Sequence, residues 1–158
     1  MKITALKNRE DLSDQPKLTE IFTQFGELIK ELNTKALSND TILFINKEIE
    51  EINTTSRSGS SLKRFVLKKQ STIIKLVEKK HKIVPKNHYL NLWLVLGMVV
   101  FGIPIGAALG AGNGNIGLGA LGLPIGLAVG IAIGSEKDKK ALRERRQLNI
   151  NLKDAICL

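Results

Sequence analysis

The chain has 158 residues, 43% of them hydrophobic and 25% charged, with a formal net charge of +9; that length is ordinarily one domain. Its single cysteine, Cys157, excludes an internal disulfide and a cysteine cluster for zinc, and as the penultimate residue it misses the prenylation position four from the end. Charge is segregated: residues 87–135 carry no Asp, Glu, Lys or Arg, whereas residues 1–86 carry 17 basic and 11 acidic side chains and residues 136–158 add 7 and 4.

In chain order, MKITALKNREDLSDQ interrupts every apolar run with Lys7, Arg9, Glu10, Asp11 and Asp14. It has no signal-peptide core and reads as a flexible N-terminus over 1–15, so the first 86 residues are expected to stay on the side where they are made. Leu18, Ile21, Phe22, Phe25, Leu28, Ile29 and Leu32 then keep the three-and-four spacing of an amphipathic helix, with Pro16 at its first turn. Beyond Ser38–Asp40, which offer cap oxygens, Ile42, Ile45, Ile49 and Ile52 predict a second helix. The segment TTSRSGSS is a loop. Leu62, Phe65, Val66, Ile73, Leu76 and Val77 predict a third helix ending near His81, before the Val84-Pro85 break.

These helices make a small cytosolic domain over 16–84, a bundle or coiled-coil-like arms, with a thin core that suits a partner protein or another copy. Residues 1–55 carry 7 basic and 10 acidic groups, and residues 56–86 carry 10 basic and 1 acidic, so the third helix is the basic one. Next to a membrane such a helix is attracted to anionic headgroups, at about 1 kcal/mol per Lys or Arg. No recognition-helix pattern, zinc motif or aromatic platform accompanies it, so nucleic acid is not the expected partner.

Residues 90–134 contain no Ser or Thr, unlike a linker, and their four-residue glycine steps and internal prolines are unlike a strand. As helices of about 1.5 Å per residue, Leu90–Gly112 and Ile116–Gly134 match the ~30 Å hydrocarbon thickness, and Asn113–Asn115 between them is a turn signal. The expected fold is all-α: cytosolic amphipathic helices followed by a two-span transmembrane hairpin over 87–135 and a basic cytosolic tail over 136–158. Seven lysines in 67–86 and seven Lys or Arg in 135–154 flank it. By the positive-inside rule both termini are cytoplasmic, with Tyr89 and Trp93 as interface anchors beside His88. Lys79, Lys80, Lys82, Lys86, Lys137, Lys139 and Lys140 are the expected contacts for anionic lipid.

Gly102, Gly106, Gly110 and Gly114 form one ladder and Gly122, Gly126, Gly130 and Gly134 another, offset by twenty: GIPIGAALG against GLPIGLAVG. Residues four apart share a helix ridge, and close packing at small residues is what joins helices in lipid. Pro104 and Pro124 each leave a carbonyl, of Val100 and Ala120, without its intrahelical donor, which predicts kinks. Gly97, Gly117 and Gly119 lie outside the ladders and could serve contacts between copies. The paired ladders, GLPIG and the tail SEKDKKALRERRQL resemble the small bacterial glycine-zipper membrane proteins, over about residues 86–148. Most of that family lack an assigned function, so the resemblance implies membrane helix packing and is uninformative about activity. Glycine-zipper envelope lipoproteins differ in carrying a signal peptide and a lipidated N-terminal Cys.

No convergent titratable set, phosphate loop or metal spacing is present, so no catalytic residue, cofactor or metal is expected. A proton-coupled transporter is disfavoured by the absence of intramembrane ionisable groups. Two readings follow: a non-catalytic membrane protein that self-associates through glycine-zipper packing and presents its cytosolic helices for assembly or docking, and alternatively a membrane-perturbing or pore-forming effector, toxin-like or defensive, whose helices control oligomer assembly.

Overall fold

In the computed structural model of the chain, residues 1–7, 15–112 and 116–152 are described, with only the backbone considered at Ile116. Asn113–Asn115 with Gly114, the charged residues Arg9 to Asp14, and Cys157 lie outside them. The described residues form helices and connections with no strand. The chain divides into two compact units, one made of residues 1–85 with the segment from Leu148, the other of residues 86–147.

In the first unit, α1 (Pro16–Asn33) starts on Pro16, whose missing N–H and fixed φ suit a first turn. It buries the seven residues that its spacing selects, Leu18 to Leu32. α2 (Asn39–Thr54) buries Ile42, Ile45, Ile49 and Ile52 as expected, together with Thr41 and Glu48. α3 (Gly59–His81) buries Leu62, Val66, Ile73 and Val77, but Phe65 and Leu76 are half-buried, and Gln70 and Ile74 take inward places. It ends at His81; Lys82 takes the left-handed conformation, φ 57°, and donates its N–H to the Glu78 carbonyl. The Thr41 hydroxyl meets His81 Nε2 at 3.0 Å, tying the start of α2 to the end of α3.

Two segments outside the helices complete this core, and both differ from the expectation. The N-terminus is docked, not loose, over residues 1–7: Ile3 is buried with the helices and Leu6 packs against them. The end of the expected basic tail also returns, burying Leu148, Ile150 and Leu152. Its sequence, LNINL, alternates apolar and polar residues, the period of an extended segment with one face inward. The Leu148 N–H donates to the Val84 carbonyl at 2.9 Å and that of Asn149 to the Glu31 carboxylate at 3.0 Å. Each large aliphatic side chain so buried contributes roughly 1.5–3 kcal/mol, which thickens a core that three narrow helix faces leave thin.

Lys69 of α3 joins two carboxylates of α2, Glu48 at 2.9 Å and Glu51. Burial opposes the Lys69 charge, yet its hydrogen bonds to Glu51 and Glu48 prevail and raise its pKa; the bond from Lys69 likewise lowers that of Glu51. A depressed carboxylate contributes stability above its unfolded pKa and loses it as the pH falls through the folded value. The first unit is therefore expected to weaken with acid below the ordinary Glu value of 4.5. In Lys69→Met that part of the slope should flatten when helix loss is followed by circular dichroism against pH. An unchanged slope would remove this pair from the account.

The second unit consists of α4 (His88–Gly97), a π-helical segment (Met98–Gly102), α5 (Ile103–Gly112), α6 (Ile116–Gly119) and α7 (Gly122–Arg143). Its two helical stretches, His88–Gly112 and Gly117–Arg143, are long and apolar enough to cross a membrane. The second outruns its expected limit at Gly134, since Ser135–Arg143 simply continues α7. α4 packs along α7, with the π segment and α5 completing the same face.

Both stretches lose α geometry just before their prolines. Pro104 is the second residue of α5, after a widened turn in which the Ile103 N–H reaches back five residues to the Met98 carbonyl. Pro124 is the third residue of α7, after a tightened turn in which Ala120 and Leu121 N–H reach back three residues, to Gly117 and Leu118. A proline inside a helix removes the bond to residue i−4 and its ring collides with that carbonyl. The two repeats relieve the conflict oppositely, by loosening one turn and tightening the other.

Candidate functional site

The feature that sets the second unit apart is a seam of glycine backbones. Gly102, Gly106, Gly122, Gly126, Gly130 and Gly134 are all buried, and a methyl group placed on any of them would meet the opposite main chain. At Gly126 a Cβ would lie 2.5 Å from the Gly97 carbonyl oxygen and 2.6 Å from the Gly102 nitrogen. At Gly106 it would lie 2.5 Å from the Gly119 carbonyl oxygen, and at Gly134 it would lie 2.7 Å from Leu90 Cα. The two ladders thus meet each other within one chain. Gly110 is half-buried near the far end.

Gly97 and Gly119, set aside for contacts between copies, belong to this same seam. A Cβ on Gly97 would be 2.8 Å from Gly130 Cα, and one on Gly119 would be 3.2 Å from the Gly106 carbonyl oxygen. The π segment explains Gly97. It lies five positions before Gly102, and at 3.6 residues per turn the two would point apart; the extra residue held in the wide turn restores the shared face. Gly117 and Gly122 repeat the five-residue step, but there the turn tightens and Gly117 is exposed, outside the seam.

Large apolar side chains point away from the seam. Val95, Val99, Val100, Ile103, Leu123 and Ile131 are among those exposed, and only 17% and 22% of the most apolar stretches of the two helices are buried. This inverts a water-soluble helical pair, which hides its branched aliphatics.

At the other end the seam runs into a carboxylate. Asp138 is 8% exposed and accepts the N–H groups of Tyr89 at 3.2 Å and Leu90 at 2.8 Å. These belong to the first turn of α4, whose N-cap Asn87 sits in the left-handed region, φ 59°, and gives no side-chain cap. An acid on the neighbouring helix therefore caps α4, satisfying two orphan donors at the positive end of its dipole. Asp138 is the next four-residue step after Gly134, a rung that reading only the uncharged run overlooks.

Around this cap lies an aromatic and cationic collar. The Lys137 ammonium is 5.9 Å from the Tyr89 ring centre and 5.6 Å from that of Trp93, while His88 meets Tyr89 edge-on at 5.2 Å. Arg146 pairs with Glu144, through a bond of 2.7 Å from Nε and a second from the terminal nitrogen. That pairing, with a smaller share from the Tyr89 hydroxyl, holds the guanidinium charged, and it lowers the Glu144 pKa. Of the lysines expected to meet lipid headgroups, Lys86, Lys139 and Lys140 are exposed in this unit, with Lys139 3.3 Å from Glu136, and Lys79, Lys80 and Lys82 are exposed in the other. Lys137 is also exposed, but its charge stands over the two rings.

Separately, Arg64, Lys68 and Lys69 of α3, with Arg57 from just before the helix, line an open groove around Phe65, and the Arg57 guanidinium lies 4.2 Å from the ring centre. Among the described residues no three His, Cys, Asp or Glu side chains come together as a metal set. Compared with known proteins, the chain matches no family model, no curated protein and no solved structure.

Proposed function

We propose that the chain is a non-catalytic integral membrane protein whose glycine-packed hairpin lies in a bacterial cytoplasmic membrane and presents the first unit, on the cytosolic side, for assembly or partner docking. The observation that carries this reading is the inverted hairpin, with glycine backbone inside and branched aliphatics outside. In hydrocarbon, outward valine and isoleucine carry no penalty, and helices associate where small residues let backbones approach. The collar of Tyr89, Trp93 and Lys137 fits a headgroup boundary, with Lys86, Lys139 and Lys140 toward anionic lipid.

The seam glycines are engaged within one chain, so association between copies is assigned to the outward face, where Ala107, Ala108 and Ala128 are exposed. Topology is tested with Cys157→Ser as background and a single new cysteine in place of Asn113 or Lys140. A membrane-impermeant maleimide applied to intact cells should label the first and spare the second until the membrane is opened. Labelling of Lys140→Cys in intact cells, or release of the chain from membranes by alkaline wash, would reject the reading. Rapid loss of membrane potential on expression would favour the effector instead.

A further inference from the structure

The basic side chains of α3 are laid out on one line. At about 100° per residue, Arg64, Lys68, Lys75 and Lys79 fall within about 60° of one another around the helix and span about 22 Å along it. Leu62, Val66, Ile73 and Val77, which are buried, occupy the opposite side. Beyond Ser61 the exposed residues of α3 are Arg64, Lys68, Lys75, Lys79 and Lys80, with no acid and no neutral side chain among them. Arg57, just before the helix, lines one groove with Arg64 and Lys68 and so lengthens the line.

The rest of the first unit treats its surface differently. α1 exposes Glu20 and Glu27 with Lys17 and Lys30, and α2 exposes Asp40 and Glu50 with Lys47, the usual mixing of signs. Two acids of α2 that reach α3, Glu48 and Glu51, are both taken up by Lys69. None of the ion pairs among the described residues involves Arg64, Lys68, Lys75 or Lys79. Like charges four residues apart on a helix repel, and Arg64 with Lys68 and Lys75 with Lys79 are two such pairs. The line therefore opposes the stability of the free unit and becomes favourable beside an anionic surface.

Chemistry and chain connection select that surface. The one ring beside the line, Phe65, is covered by the Arg57 guanidinium at 4.2 Å, so no aromatic platform is offered to a nucleic-acid base. Only residues 82–87 separate α3 from α4, an extended reach of at most about 25 Å, so α3 stays close to whatever surrounds the start of α4. On the membrane reading that is the headgroup layer of a cytoplasmic leaflet, which is anionic and favours each nearby Lys or Arg by about fivefold.

We propose that α3 lies lengthwise on the anionic leaflet through Arg64, Lys68, Lys75 and Lys79, so that the first unit rests flat on the membrane and turns α1 and α2 to the cytosol. This rests on the membrane reading above and adds an orientation to it: partners are met on the side of α1 and α2, whose exposed acids the same lipid repels. Lysines at the end of α3 alone would hold only that end. Contact at Ser61, about 30 Å from His81 along the helix, is what the full line adds.

The full chain with Cys157→Ser and one new cysteine, Ser61→Cys or Glu50→Cys, is labelled with bimane and reconstituted in vesicles carrying a headgroup nitroxide quencher. The lipid is phosphatidylcholine alone or equimolar with phosphatidylglycerol. Quenching at Ser61 should be at least about threefold stronger with phosphatidylglycerol and lose that excess at about 1 M salt, where the Debye length is near 3 Å. At Glu50 it should stay weak throughout. Combining Arg64→Gln, Lys68→Gln, Lys75→Gln and Lys79→Gln removes four charges at about fivefold each, so the docked-to-free ratio should fall by about a hundredfold or more. Helix content should be kept. Trp93, the only tryptophan, reports insertion in the same vesicles through quenching by lipids brominated in the acyl chain, which neither salt nor the fourfold variant should change. Unquenched Trp93 would overturn the membrane reading, and this proposal with it. Quenched Trp93 with Ser61 unquenched, or with Ser61 quenched equally in both lipids, would overturn the docking of α3 alone. Release of Ser61 from phosphatidylglycerol by a short DNA duplex, or a Ser61 signal that follows protein density in phosphatidylcholine, would overturn the choice of lipid as the occupant.

Discussion

Gly126→Ala is expected to destabilise the hairpin by about 2 kcal/mol or more, and Gly126→Leu to separate its two helices. Three main-chain atoms, the Gly97 carbonyl oxygen and the nitrogen and Cα of Gly102, would lie within 2.7 Å of the new Cβ. Overpacking a closed site costs typically 1–3 kcal/mol even where side chains can yield, and here the obstacles are backbone. Alanine's better helix propensity returns at most about 1 kcal/mol. Trp93 is the only tryptophan of the chain, and its backbone carbonyl faces the Gly130 site, so its fluorescence during an SDS titration reads the seam directly. Gly112→Ala is the internal control, because a Cβ there meets nothing within 4 Å; it should be neutral or slightly stabilising. Equal midpoints for Gly126→Ala and Gly112→Ala would mean that the helices are not held at the seam.

Asp138→Ala should rank next, at about 2 kcal/mol. Charge-assisted bonds to a buried acceptor are worth roughly 1.5–3 kcal/mol, and the loss leaves the Tyr89 and Leu90 N–H groups without their partner in the first turn of α4. Asp138→Asn keeps one acceptor oxygen and should fall between the variant and wild type. Amide hydrogen exchange at Tyr89 and Leu90 is the discriminating measurement: both should accelerate in Asp138→Ala while protection near Gly106 persists. Uniform acceleration along the hairpin would assign Asp138 a general packing role and sink the cap.

How far these features were legible depended on which period was followed. The faces of α1 and α2 follow from apolar spacing because each helix buries one uninterrupted stripe. The four-residue glycine steps likewise located the seam, but they assigned it to any close neighbour, and which helix answers is a tertiary fact. Gly97 escaped because its step is five, which only a non-α turn brings into line. Asp138 keeps the seam's spacing, but its charge ends the apolar run, so hydropathy alone does not include it. On α2, tracking isoleucines hid Asn39, Asn46 and Asn53, a seven-residue series on its polar side. At the N-terminal end composition misleads: the charges around MKITALK argue for a loose arm, yet Asn amides satisfy its backbone and two apolar residues seat it. α3 admitted Gln70 to a buried place that no apolar pattern would assign to it.

The wide turn at Met98–Gly102 gives the first helix one residue of slack. Removing a residue between Gly97 and Gly102 would leave the two glycines four apart, the ordinary α step, so the strand of contacts on either side would keep its pairings while the helix shortened by about 1.5 Å. The same deletion placed between Trp93 and Gly97 would turn Tyr89, Leu90 and Trp93 about 100° away from Asp138 and Lys137 of α7. Tolerance to length change in this helix is therefore local, and it coincides with the one place where its hydrogen bonds already reach five residues back.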